Sequence, residues 1–336
     1  MNATNQHILR ILLKAKNQAI SGEAIAHELG ISRVAVWKRL EALEKEGFEF
    51  EAVRHEGYVM VQTPRVLHED FLQVHLQSLG VKEELFFYPT IDSTNIEAHR
   101  LLASGIKDPA VVIARTMSAG KGRLGRKWIS DDTGNIYSSF IFKPNLPPGE
   151  LQLFPLWIGL SLCHWIKEDF GIMTSLKWPN DLLWQKRKLG GILIEATYDA
   201  DATRELIVGI GFNVNTHLNN WPEEIVPKIA SLSLAKGASH DLHHVTARFI
   251  QVIFQSYDHF MSGKFQKDFW EWWPMFDALE GQTITVKSSS QSMEGVASGI
   301  TPQGQLRLKL SNGSETIIHA GDVSIGSFKM CTPQKQ

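Results

Sequence analysis

Apolar positions recur at helical spacing from the start of the chain. Ile8, Leu9, Ile11, Leu12 and Leu13 predict a helix from about Gln6 to Lys16 with one buried face. Ser21 is placed to cap a short second helix carrying Ala24, Ile25 and Leu29, which stops at Gly30. Ser32 then caps a third helix carrying Val34, Val36, Leu40 and Leu43, which stops at Gly47. Helix, tight glycine turn and helix is the signature of a helix-turn-helix. The period next changes to two: Phe48 to Val53 alternates, His55-Glu56-Gly57 turns, and Tyr58 to Val61 returns, so the unit is read as a winged helix.

Gln62-Thr63-Pro64 reads as a linker, because proline interrupts the strand and a new helical pattern starts after it. Beyond it, strands such as Ala110 to Ala114 and Ile136 to Phe142 alternate with helices such as Leu151 to Phe170. Further strands are expected near Leu176, from Gly191 to Thr197 and from Glu205 to Gly211, and closing helices near Thr246 to Phe260 and Phe265 to Trp273. This is an α+β domain with a mixed sheet. Phe265, Phe269, Trp270, Trp272 and Trp273 recur at helical spacing and read as packing. From about Phe276 the pattern shortens to strands at Thr283 to Lys287, Met293 to Ile300, Gln305 to Leu310 and Glu315 to His319, with Gly304 and Asn312-Gly313 as turns and Ser288 to Ser290 as a hairpin tip. A small SH3-like β-barrel is the economical reading. The chain is therefore divided into a winged helix over 1–63, a catalytic α+β domain over 64–275 and a barrel over 276–330, the last offering no chemical constellation of its own.

Composition narrows the class. With 336 residues, 43% of them hydrophobic and 21% charged, the chain is long enough for two or three domains. No run of about 18 apolar residues and no signal-like start occurs, so a cytoplasmic protein without a membrane partner is expected. Cys163 and Cys331 are too few for a disulfide framework or a cysteine-ligated zinc site. A net charge of −2 excludes a generally basic nucleic-acid coat but leaves local patches open. One such patch is the start of the third helix, where Ser32, Arg33, Trp37, Lys38 and Arg39 are the candidates for contacting DNA, the acids Glu41, Glu44 and Glu46 coming later. Basic and acidic residues balance over residues 1–62, so a dimer would be needed to reach a specific operator.

Between Ser118 and Trp128, glycines at 120, 122 and 125 alternate with Lys121, Arg123, Arg126 and Lys127, a segment suited to a polyanion. It matches the letter of a G-x-G-x-x-G fingerprint, but turn residues follow where a helix should open. A P-loop fails because Arg126 and Lys127 stand where lysine and a hydroxyl are required. No kinase partner motifs follow.

Three further polar clusters sit at expected strand ends: Asp92-Ser93-Thr94-Asn95, Lys177-Trp178-Pro179-Asn180-Asp181 with Lys188-Leu189-Gly190-Gly191, and Gly209 to Asn215. With the glycine and cation loop they resemble the biotin protein ligase family, in its bifunctional bacterial form with an N-terminal repressor domain, over essentially the whole chain. The resemblance implies that ATP activates biotin to biotinyl-5′-AMP, and that a lysine of the biotin carboxyl carrier domain of acetyl-CoA carboxylase then attacks it. It implies Mg2+ with ATP, operator DNA as a partner, biotinyl-5′-AMP as corepressor and a homodimer when adenylate is bound.

Bringing two anions together requires cations, and Lys188, Arg123 and Lys121 are the catalytic candidates. Ser93, Thr94 and Asn95 suit the ureido ring, with Met117, Lys121, Gly122, Arg123, Lys188, Gly209 and Gly211 completing the expected biotin site. Gly120, Arg126, Trp128, Lys177, Asn180, Asp181 and Asn213 are expected at the nucleotide, Trp128 on the adenine and Asp181 as a candidate metal contact. The glycine loop is expected to order over the adenylate and exclude water. Ser93 to Asn95 could also cap a helix, and Asn213 and Asn215 could only tie a strand end. His240, His243 and His244 read as a helix start, not a metal site. The family usually has glutamine at the position of Met117 and arginine at those of Lys121 and Leu124. A lipoate or other acyl-acid ligase, and a biotin sensor without catalysis, stay open as alternatives.

Overall fold

The computed structural model describes residues 2–130, 133–199, 202–217, 221–287 and 292–325. The expected hairpin tip at Ser288 to Ser290, Cys331 and the end of the expected third domain lie outside them.

The N-terminal unit is a winged helix of α1 (Ala3–Lys14), α2 (Gly22–Leu29), α3 (Arg33–Lys45), β1 (Glu49–Val53) and β2 (Gly57–Gln62). Its local signals act as expected. Ser21 accepts from the Ala24 N–H, Gly30 ends α2 in the left-handed region at φ 64°, and Ser32 accepts from the Ala35 N–H at 3.2 Å. The two wing strands pair antiparallel. Ile8, Leu9, Leu12, Ile25, Val36, Leu40, Leu43 and Phe48 form its core. Phe71 and Val74 of the next helix, α4 (Glu69–Ser78), complete that core, so the linker leads directly into a shared apolar junction.

The central unit continues with β3 (Glu84–Ile91), α5 (Thr94–Ala103), β4 (Ala110–Met117), β5 (Ile136–Phe142), α6 (Phe154–Phe170), β6 (Ser175–Lys177), β7 (Asp181–Trp184), β8 (Arg187–Asp199) and β9 (Ala202–Phe212). It closes with α7 (Leu232–Lys236), α8 (Leu242–Met261) and α9 (Phe265–Phe276). The sheet runs in the order β3-β4-β5-β9-β8-β7-β6, with β3 and β4 parallel and the other pairs antiparallel. It is therefore mixed. Helices α6 and α8 cover one face and α5 the other; all seven residues of β5 are buried because that strand is central and covered on both sides. Pro89 lies inside β3, where an edge position tolerates a residue that cannot donate to a ladder. Of the aromatics on α9, Phe265, Phe269 and Trp273 are buried, whereas Trp270 is exposed.

The C-terminal strands β10 (Thr283–Lys287), β11 (Ser292–Ile300), β12 (Leu306–Lys309), β13 (Glu315–Ile318) and β14 (Asp322–Ile325) form an antiparallel sheet in the order β13-β12-β11-β10-β14. Among the described residues no ladder joins β13 to β14, so the sheet stands as an open five-stranded unit. Its inward residues Ile284, Val286, Leu306, Leu308 and Val323 belong to the same apolar cluster as the central domain. The Trp178 indole N–H donates across the boundary to the Gly304 carbonyl at 2.9 Å. Among the described residues, no helix is long and apolar enough to cross a membrane.

Candidate active site

The α5 face of the sheet carries a narrow slot of about 50 Å³ into which the separated clusters converge. One wall is the start of α5. Ser93 occupies the cap position, yet its hydroxyl makes no capping hydrogen bond. Thr94 is buried, and both its N–H and its hydroxyl donate to the Met117 sulfur, at 3.4 and 3.6 Å. The Asn95 amide is locked from both ends: its oxygen accepts from the Ser139 hydroxyl and its nitrogen donates to Glu195, each at 2.6 Å. Its orientation is set before any ligand arrives.

The floor is made by glycines on β8 and β9. A Cβ on Gly211 would lie 2.3 Å from the Trp128 ring, one on Gly191 3.0 Å from it, and one on Gly209 2.1 Å from the Asn95 oxygen. Only glycine lets the indole and the amide lie this close to the sheet. Trp128 thus spans the trough, and its indole N–H is buried without an acceptor among the described residues. A buried donor of this kind costs free energy unless a ligand supplies the acceptor.

The second wall is the glycine and cation segment, which folds as a small hairpin. The Trp128 N–H donates to the Gly120 carbonyl at 2.9 Å, and the Gly122 N–H to the Arg126 carbonyl at 2.7 Å. The tip is a short 3-10 turn over Arg123–Gly125, with Leu124 at φ 57° and Gly125 at φ 72°. Among the described residues no helix opens after it, in keeping with the exclusion of a dinucleotide fingerprint. Arg123 donates to the Asn180 amide oxygen at 2.9 Å, and burial holds its guanidinium below its ordinary value. Arg126 turns outward and pairs with Asp322 of β14.

The third wall is the β6–β8 corner. Lys188 Nζ lies 2.7 Å from Asp181 and 5.1 Å from the centre of the Trp128 ring, while Lys177 Nζ lies 3.1 Å from the other Asp181 oxygen. Burial raises the Asp181 carboxyl, but the two ammonium groups outweigh it and hold the group below the usual carboxylate range. A carboxylate already shared by two lysines is a poor metal ligand, and no group of three His, Cys, Asp or Glu residues among the described ones could hold an ion.

Of the residues singled out from sequence, Ser93, Thr94, Asn95, Met117, Lys121, Gly122, Arg123, Trp128, Asn180, Lys188, Gly209 and Gly211 line the slot. Gly120, Arg126, Lys177, Asp181 and Asn213 do not. Gly120 supports Trp128 from behind, Lys177 and Asp181 hold Lys188, and Asn213 donates to the Lys188 and Ala230 carbonyls, tying a strand end. Asn215 likewise exchanges hydrogen bonds with the His240 backbone. His243 and His244 stand in the first turn of α8, capped by Asp241.

Sequence reasoning placed Gly191 in a cluster without giving it a site role, and assigned none to Glu195, Ser139 or Asp322. Glu195 was detectable as a lone acid in the apolar run from Ile192 to Ala196, but nothing local marks Asp322 as a neighbour of Arg126. On the winged helix, Ser32, Arg33, Trp37 and Lys38 are exposed, with Arg39 half-buried.

Comparison with known proteins agrees with this geometry. Residues 87–213 match the model of the biotin/lipoate A/B protein ligase family, residues 4–59 an HTH domain, and residues 281–326 the biotin protein ligase C terminal domain. The bifunctional ligase/repressor BirA of Bacillus subtilis is 32% identical over 321 residues, which is 95% of this chain and 98% of that protein. Its Escherichia coli counterpart is 26% identical over 299 residues, 89% and 91% of the two chains. The structure of biotin protein ligase from Aquifex aeolicus in complex with biotin and ATP is 30% identical, with a TM-score of 0.59, covering 72% of this chain and 98% of that one.

Proposed function

The chain belongs to the biotin protein ligase family, in the branch that joins a helix-turn-helix to the ligase, and from that premise we propose how its site works. The protein is an ATP-dependent biotin–protein ligase and a DNA-binding repressor. In the first step a biotin carboxylate oxygen bonds to the α-phosphorus of ATP, the α–β phosphoanhydride breaks and pyrophosphate leaves. In the second, a lysine amine of the biotin carboxyl carrier domain bonds to the acyl carbon, AMP leaves and the amine gives up a proton.

One observation carries the reading: the Lys188 ammonium, held 2.7 Å from Asp181, meets Arg123 and the unpartnered Trp128 N–H in the same slot as Ser93 and Asn95. Lys188, Arg123 and Lys121 supply the positive charge that two reacting anions need. Asp181 acts as a positioning residue for Lys188. The Ser93 hydroxyl and the fixed Asn95 amide suit the ureido ring of biotin. Trp128 and the glycine trough suit the adenine, with the indole N–H as a donor. Arg126 and Lys177 act at the slot's edge, clasped to the C-terminal sheet, which we read as a small SH3-like barrel. Mg2+ would come with the ATP phosphates, since no group of three metal-ligating side chains stands among the described residues. Biotinyl-5′-AMP serves as corepressor and favours a homodimer that spans two operator half-sites; the reaction belongs to the cytoplasm.

Purified protein with biotin, Mg-ATP and a carrier domain is expected to yield covalently biotinylated carrier. Absence of transfer where a known ligase succeeds would overturn the ligase reading, and transfer of lipoate instead would favour the other acid on the same fold. Gel shifts on the promoter of the cell's own biotin-synthesis genes, with and without biotinyl-5′-AMP, test the repressor half. Equal binding in both states would refute the corepressor role.

A further inference from the structure

We infer that the exposed face of α3 reads thymine methyl groups in the major groove, through Val34 and Trp37. The inference rests on the DNA-binding reading above and adds to it the base chemistry that is recognised.

Val34 and Trp37 are three residues apart and the pairs Arg33/Trp37 and Val34/Lys38 four apart, so the four share one face of α3. On the opposite face Val36, Leu40 and Leu43 are 0–3% exposed, as a helix docked on a core requires. Val34 and Trp37 are 61% and 53% exposed, and neither packs against any apolar cluster of the described residues. Arg33, Lys38 and Arg39 form no ion pair among the described residues, and the first acid along the helix, Glu41, is turned to Lys45 at 3.4 Å. The face is thus a pair of apolar side chains between uncommitted cations, at the N-terminal half of the second helix of a helix-turn-helix.

Charge complementarity selects a nucleic acid for this face, the flanking cations meeting phosphates on either side of the groove. What remains for the centre is the groove floor, where the C5-methyl of thymine is the apolar group a base edge presents. A valine has no polar atom with which to read a base edge, and the face of an indole packs on a methyl as readily as on a side chain. The polar alternative, arginine forked onto guanine, would put a guanidinium where Val34 and Trp37 stand.

The test begins by selecting duplexes from a randomised pool with the full-length protein in biotin and Mg-ATP. The thymidines of a selected half-site are then replaced one at a time by deoxyuridine, which deletes only the methyl, and binding is followed by fluorescence anisotropy. At least one replacement is expected to weaken binding about fourfold, the worth of one buried methyl. Val34→Ala or Trp37→Ala is expected to bind the thymidine duplex more weakly and to abolish the difference between the two duplexes at its contact. Lys38→Ala should weaken both duplexes alike and lower the salt slope by about one. Circular dichroism and thermal melting establish that each variant is folded. Equal binding of thymidine and deoxyuridine duplexes by the native protein would overturn the inference, as would discrimination that survives in both apolar variants. If no duplex is enriched at any salt concentration, the DNA-binding reading itself falls, and the apolar face passes to a protein partner.

Discussion

The two junctions of the central domain are built differently. The winged helix is joined through a buried seam in which Phe48 packs edge-on against Phe71, and Phe71 against His75 and His243. The His68 N–H donates to His243 Nε2 at 2.8 Å, and the His68 ring meets Glu46 at the end of α3. None of these groups lines the slot. The C-terminal sheet, although it shares the main core, sends its β14 end onto the catalytic loop: Asp322 takes Arg126, the Gly321 carbonyl accepts from Arg123, and the Val323 carbonyl accepts from Lys177 at 3.2 Å. The contrast teaches that, among the described residues, the C-terminal sheet bonds directly to the loop from Ser118 to Trp128, whereas none of the groups named in the winged-helix seam lines the slot. Arg115, on β4 two residues before Met117, lies over the Phe87 ring and donates to the Leu67 carbonyl.

The largest effect should come from removing the group on which the slot centres. Lys188→Ala is expected to lower adenylate formation about 100- to 1,000-fold, read by pyrophosphate exchange, while leaving the winged-helix junction intact by hydrogen exchange. An unchanged exchange rate would strike Lys188 from the catalytic groups.

Acid should break the N-terminal junction selectively. Burial lowers the His75 pKa from 6.5 to about 4 despite the nearby Asp241, and burial likewise lowers His243. Because the folded pKa lies below the unfolded one, the stability from neutral His75 is whole above pH 6.5 and declines as the pH falls toward 4. The loss amounts to roughly 3 kcal/mol at most. Hydrogen exchange along α4 between pH 7 and 4.5 should show it, and His75→Gln should flatten the dependence. Protection of α4 that does not change with pH would show that the seam is not held by neutral histidine.

A smaller effect is expected at Met117, whose sulfur accepts from Thr94. Met117→Gln places an amide in the slot and should tighten biotin binding by about 1 kcal/mol, measured by calorimetry, without altering the acid response of the junction. Unchanged or weaker binding would mean that the thioether is already the better partner here.

The smallest effect should come from the clasp. Arg126 and Asp322 form a partly exposed pair, and a double-mutant cycle with Arg126→Ala and Asp322→Ala should give a coupling of about 0.5–1 kcal/mol in adenylate retention, fading at high salt. Zero coupling at low salt would erase the functional difference between the two junctions.

Much of this molecule is legible along the chain. The caps at Ser21 and Ser32, the stop at Gly30 and the alternation of the wing all depend on neighbours within a few residues, so they can be read one segment at a time. The same holds for the charge and glycine content of the segment from Ser118 to Trp128, and for the cluster from Lys177 to Lys188 that marks the family. What only the tertiary structure decided is how those segments use one another. Glu195 accepts from the Asn95 amide from 100 residues away, Asp322 pairs with Arg126 from 196 away, and Asp181 pairs with both Lys188 and Lys177. Periodicity records which face of an element is apolar, whereas the partner of a polar atom is chosen by the packing that brings distant strands together.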